Sequence, residues 1–152
     1  MGLDMYLNKR IYIGANYEHR NVKGAIEITE GDDNKPIKIN LSKVSEITER
    51  AAYWRKANQI HRWFVEKIQN GVDDCGDYYV SKEQLKELVD TCEAVLADKD
   101  KASELLPSQP GFFFGGTEYD EYFFQDLENT IEQIKPLLED TGRGDYEYTS
   151  SW

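Results

Sequence analysis

The chain has little of what small proteins use to hold metals, close disulfides or enter membranes. It contains two cysteines, Cys75 and Cys92, and two histidines, His19 and His61, in 152 residues. Two thiols make no disulfide framework, no Cys-x-x-Cys or paired-histidine spacing is present, and two histidines exclude a multi-histidine metal site. Neither a cofactor nor a metal is implied. No apolar run approaches the roughly 20 residues that span a bilayer. The N-terminus lacks the charged-then-apolar pattern of a secretion signal. A soluble, cytoplasmic protein with no membrane partner is therefore expected. Four prolines spread through the chain argue against a low-complexity linker, and no Walker loop, dinucleotide-binding fingerprint or internal repeat occurs.

Basic residues are scarce in one half only. Residues 1–72 hold 12 Lys and Arg against 9 Asp and Glu, a balance of +3, whereas residues 73–152 hold 6 against 20, a balance of −14. A surface of that sign repels nucleic acid, so direct binding to it is not expected. It attracts a basic partner, including a protein surface that normally holds DNA or RNA. The plain alternative is a solvated acidic surface that keeps the protein soluble.

What is present is ample for folding. Hydrophobic residues make up 39% and aromatic residues 12% of the chain, which argues against disorder, and the length suits a single domain, 1–152. Residues 3–13 alternate: Leu3, Met5, Leu7, Ile11 and Ile13 share one face with Lys9 as the exception, the pattern of a half-buried strand. Residues 14–23 read as a polar loop with His19 and Arg20. Ala25 to Glu30 gives a second strand, residues 31–34 supply turn chemistry, and Ile37, Ile39 and Leu41 alternate in a third.

From Ser45 the period lengthens to three or four residues, predicting one long central helix to about Gln69, stopped by Asn70-Gly71. Along it Ile47, Ala51, Trp54, Asn58, His61, Val65 and Ile68 form one stripe, in which Asn58 and His61 are the only polar members. Tyr53, Ala57, Ile60 and Phe64 make a second apolar stripe. After an acidic connection and a short strand at Tyr78-Tyr79-Val80, Ser81 and Gln84 form a capping-box pattern that opens a helix to about Asp98. Cys92 on its apolar face reads as an ordinary buried thiol. The three phenylalanines of 111–116, set between glycines, read as a buried extended segment, and the functional alternative is that Gly115-Gly116 lets a ligand approach the backbone. A third helix is predicted from about Glu118 to Glu139, with Thr117 and Asp120 together as a possible cap, and weakened at its end by Pro136. The tail alternates enough around Tyr146 and Tyr148 to add an edge strand, with a disordered tail as the other reading. The expected fold is therefore α+β: an N-terminal antiparallel sheet of about three strands packed on a long central helix and two further helices, with a C-terminal edge strand.

Several blocks carry a resemblance. They are Gly2-Leu3-Asp4-Met5-Tyr6-Leu7, Ala52 to Asn58, Ile60 to Val65, Gly71-Val72-Asp73-Asp74-Cys75, and Gly111 to Gly115 followed by Tyr119-Asp120. In these the chain resembles a family of small, mostly uncharacterised proteins encoded by bacteriophages and prophages. The resemblance implies a setting, the cytoplasm of an infected bacterial host, and no catalytic residues.

Two constellations carry candidate chemistry. Cys75, His61 and Asn58 have the types of a thiol nucleophile, its base and an orienting amide, although the competing reading of His61 is a buried histidine bonded to Asp74 or a strand carbonyl. For a ligand site, Trp54, Phe112, Phe114 and Tyr119 supply a stacking wall, Asn58, His61 and Asp120 directional hydrogen bonds, and Arg55 and Lys56 charge for a phosphate, with Asp74 and Cys75 at the margin. The expected function is a non-enzymatic phage-type binding protein, serving counter-defence or host takeover. It would occupy a host protein with a basic surface or sequester a small nucleotide-like signal. The alternative is a small nucleotide-directed hydrolase or transferase using His61, and a structural or homo-oligomeric assembly role is a third reading.

Overall fold

A computed structural model describes residues 2–14, 18–20, 28–31 and 35–152, with the side chain of Leu41 also outside that set. The fold begins with strand β1, Asp4–Tyr12. Leu3, Met5 and Leu7 are fully buried, while the residues between them are partly exposed, so this strand rests one face on the core and leaves the other to solvent.

The partner of β1 corrects the sequence reading most. Residues Glu46–Arg55, expected to be the first half of a long helix, form strand β4, antiparallel to β1 with Trp54 opposite Met5, Ala52 opposite Leu7 and Ile47 opposite Ile11. The ladder slips by one residue between Leu7 and Asn8, so Ala51 has no partner of its own. A bulge of this kind interrupts the period of two. It leaves apolar residues at 47, 51 and 54, the spacing of a helical stripe, although the segment is extended. The chain then turns at Lys56, whose φ is 60°, and helix α1, Asn58–Lys67, begins. Only this second half of the expected helix is helical, and it is the central, almost wholly buried one. Asn70 and Gly71 end it in left-handed conformations, with Gly71 donating to the carbonyl of Val65.

The other elements near the N-terminus are small. Strand β2, Thr29–Glu30, pairs with β3, Lys35–Pro36, in a separate two-stranded sheet. Residues 25–27 of the expected second strand and the turn residues 32–34 lie outside the described residues. The expected third strand is not found: Ile37 and Ile39 are exposed, and Leu41–Lys43 is a 3-10 turn.

Strand β5, Tyr78–Val80, precedes helix α2, Lys82–Ala97, which starts with a complete capping box between Ser81 and Gln84. A 3-10 turn and the short helix α3, Ala102–Leu105, lead to helix α4, Glu121–Glu139, whose first turn is capped by Asp120 and which continues through Pro136. Strand β6, Asp145–Ser151, closes the sheet in the order β4-β1-β6-β5. It is therefore an interior strand, a correction to the expected edge. Its inward residues explain the position, because Tyr146, Tyr148 and Ser150 are buried and Tyr148 lies flat on Phe64 with ring centroids 3.9 Å apart. The core is continuous from the inner sheet face through α1 to α2 and α4. Mixed α+β architecture is thus observed, with a four-stranded antiparallel sheet as its frame. Among the described residues, no helix is long and apolar enough to cross a membrane.

Candidate functional site

The corner between β4 and α1 organises the surroundings of Asn58. Because Lys56 takes the left-handed turn, Asn58 enters the helix facing the 109–116 loop. Its amide nitrogen donates to the carbonyls of Phe114 (3.2 Å) and Gly116 (2.8 Å), and its carbonyl accepts from the backbone of Gln109 (2.9 Å). A polar residue in an apolar stripe is thereby fully used, as a clamp on a loop that has no regular structure of its own.

His61, one turn later, is fully buried. Its Nδ1 lies 2.7 Å from the Tyr148 hydroxyl and its Nε2 3.0 Å from Asp73 Oδ2. Burial raises the Tyr148 phenol well above its ordinary value, with the Asp73 charge adding to the effect. Tyr148 therefore keeps its proton, its hydroxyl shares one hydrogen bond with Nδ1, and Nε2 donates to the carboxylate. Asp73 Oδ1 also accepts from the indole of Trp152 at 3.0 Å. Phe114 meets the imidazole edge-on at 5.4 Å. The expected partner Asp74 is a correction: its carboxylate accepts instead from the backbone of Gly76 and the Tyr78 hydroxyl.

Both nitrogens of His61 are committed inside the chain, and the residue has no solvent exposure. Cys75 is exposed, with φ of 57°. A thiol needs a base with a free nitrogen, and His61 has none to offer, so these residues are not arranged as a nucleophile and base. Cys92 is buried as expected, and burial pushes its thiol up to about 12.

The surface feature nearest to the predicted ligand site is a cleft of about 300 Å³ between the 115–118 segment and the start of α4. Arg55, Lys56, Asn58, Gly115, Gly116 and Asp120 line it, together with Gln59, Glu118, Tyr122 and Asp126, which the sequence reading did not single out. Asp126 is raised by burial, an effect that the hydrogen bond from Gln59 at 3.1 Å partly offsets. The predicted aromatic wall is not there. Trp54 is buried, its indole donating to Thr130 at 2.9 Å, and Phe114 is buried under the loop. Phe112 is 85% exposed and Phe113 is 44% exposed, which corrects the buried segment expected for 112–114. Tyr119 belongs to a neighbouring cleft of about 540 Å³, with Asp120, Glu121, Phe124, Glu128 and Lys99. There the Lys99 ammonium sits 4.3 Å over the Phe124 ring.

Electrostatically the region belongs to α4. Residues 102–134 contain no Lys or Arg and seven Asp or Glu. Glu118, Asp120, Glu121, Glu128 and Glu132 are all exposed. Cations border the region: Arg55 and Lys56 at the end of β4, Lys99 after α2, Arg62, which donates to the Ser108 carbonyl, and Lys135 on α4, paired with Glu93. Among the described residues no group of three or more His, Cys, Asp or Glu side chains is placed to hold a metal ion. Comparison of the chain with known protein families, with curated proteins and with solved structures gives no match.

Proposed function

We propose that this is a non-catalytic binding protein of the phage type, acting in the host bacterial cytoplasm by occupying a host protein through the acidic face of α4. The observation that carries this reading is the exposed set Glu118, Asp120, Glu121, Glu128 and Glu132, with the exposed rings of Tyr119 and Tyr122, in a run, 102–134, that contains no basic residue. Such a face complements a basic protein surface, speeds encounter with it and repels nucleic acid and other copies of itself. Counter-defence or host takeover is the role that follows if the covered surface is one the host uses to bind DNA or RNA.

Two other readings have less support. A nucleotide-like signal in the 300 Å³ cleft would meet Arg55 and Lys56, yet Glu118, Asp120 and Asp126 share the same walls and oppose a phosphate. A hydrolase or transferase using His61 requires that ring to leave Tyr148 and Asp73 before it reaches a substrate.

Affinity capture from bacterial lysate, followed by mass spectrometry, tests the proposal. Wild type should retain a protein with a basic surface, and a variant with Glu118, Glu121, Glu128 and Glu132 changed to Gln should lose it. Equal recovery by both, or no recovered protein, counts against the reading. A nucleotide retained by the purified protein in native mass spectrometry would favour the sequestering alternative.

A further inference from the structure

Phe112 and Phe113 form an exposed apolar pair, and the chain holds it in place from both sides. Their rings meet edge to face with centroids 4.2 Å apart. Beneath them Phe114 is buried, and its backbone N–H donates to the Gly111 carbonyl at 3.2 Å. A Cβ on Gly111 would lie 2.6 Å from the Phe114 ring, so the turn accepts only glycine there. Gly115, with φ of 95°, passes 3.1 Å from the Lys56 carbonyl when given a Cβ. Asn58 clamps the carbonyls of Phe114 and Gly116, and Leu3 donates to that of Phe113. Phe113 itself sits at φ of 71°, a left-handed conformation that a phenylalanine rarely adopts. A strained turn that is locked to the core, yet presents phenylalanine to water, is a preorganised contact.

Resting on the reading above, we infer that Phe112 and Phe113 are the apolar anchor of the acidic face, seating in an apolar pocket of a partner protein whose rim is basic. Charge selects this occupant. Glu118, Asp120 and Glu121 follow the turn in the chain and are exposed, while Arg55 and Lys56 line the cleft beside Gly115 and Gly116. A second copy would bring the acidic half, −14 over residues 73–152, against itself. An anionic lipid surface is repelled by the same charge. Large aromatic side chains seated in a desolvated pocket dominate such interfaces, with charges at the rim setting rate and selectivity.

The probe is a display library of random peptides selected on the purified full-length chain, followed by one synthesised winner measured by titration. Enriched peptides should combine Lys or Arg with large apolar residues. The winner should bind at least about tenfold more weakly to Phe112→Ala, and more weakly still to Phe112→Ser/Phe113→Ser. Melting temperature should stay unchanged in Phe112→Ala, whose ring makes no core contact. If Glu118→Gln/Glu121→Gln weakens the peptide and neither Phe variant does, the anchor is overturned while the acidic face stands. If no basic peptide is enriched, both are overturned. The anchor also fails if the wild type self-associates in sedimentation, or floats with phosphatidylcholine vesicles, in a manner that Phe112→Ala abolishes, since the occupant is then a second copy or a membrane.

Discussion

Tyr148 on β6 and His61 on α1 share a hydrogen bond of 2.7 Å in a site with no solvent exposure, and it ties the interior strand of the sheet to the buried helix. Tyr148→Phe keeps the stacking on Phe64 and removes only the hydroxyl, leaving Nδ1 of His61 buried without a partner. The expected cost is about 1–3 kcal/mol, read as a lowered urea midpoint with an unchanged slope. A variant as stable as wild type would mean that this bond contributes nothing to holding β6.

The clamp at Asn58 makes a separable prediction. Asn58→Ala deletes three hydrogen bonds to the 109–116 loop and should destabilise the protein by about 2 kcal/mol. Amide exchange should quicken at Gln109, whose N–H loses its acceptor, while amides in the middle of α2 keep their relative protection. Uniform acceleration across the chain would instead mark a general loss of packing.

At the start of α2 the Ser81 hydroxyl accepts from the Gln84 backbone at 3.2 Å, and the Gln84 side chain accepts from the Ser81 backbone at 2.9 Å. Ser81→Ala should cost about 1 kcal/mol. Thermal denaturation of the two proteins side by side checks this.

Acid sensitivity should centre on Asp140. The Lys9 ammonium, with the Gly142 backbone and the Tyr146 hydroxyl, holds its carboxyl down at about 2. The folded value lies below the unfolded one of about 3.9, so the stabilisation is fully present above about pH 4 and is lost as pH falls through about 2. Asp140→Asn should be less stable at neutral pH and should lack this part of the acid-induced loss. Melting temperatures from pH 6 down to pH 2 report it, and parallel curves for the two proteins would contradict it.

Much of the frame was legible in the residues. β1 announces itself by alternation, α2 by its capping box, and the stop of α1 by Asn70-Gly71, because each is a local preference that packing reinforces. β4 was not legible, since the bulge at Ala51 converts an alternating strand into an apparent helical stripe, and only pairing with β1 reveals it. The interior place of β6 depends on a contact between residues 61 and 148, which no local pattern carries. At the site, Asn58 and His61 are buried polar residues of α1, although the part of their expected stripe from Ile47 to Trp54 is strand. Their partners came from distant segments, at Gln109, Phe114, Gly116, Asp73 and Tyr148. Phe112 to Phe114 shows the same limit: identical residues in a row, two exposed and one buried, sorted by a turn that spacing does not disclose.

The central claim is that this protein acts by laying the α4 face on a basic partner. Hydrogen exchange of the captured complex measures that contact directly. Protection on binding should concentrate in residues 111–132 and fade as ionic strength rises, because exposed charges are screened within roughly 10 Å at 0.1 M salt. Protection confined to the outer sheet face around Tyr6 and Tyr53, or undiminished by salt, would contradict the account.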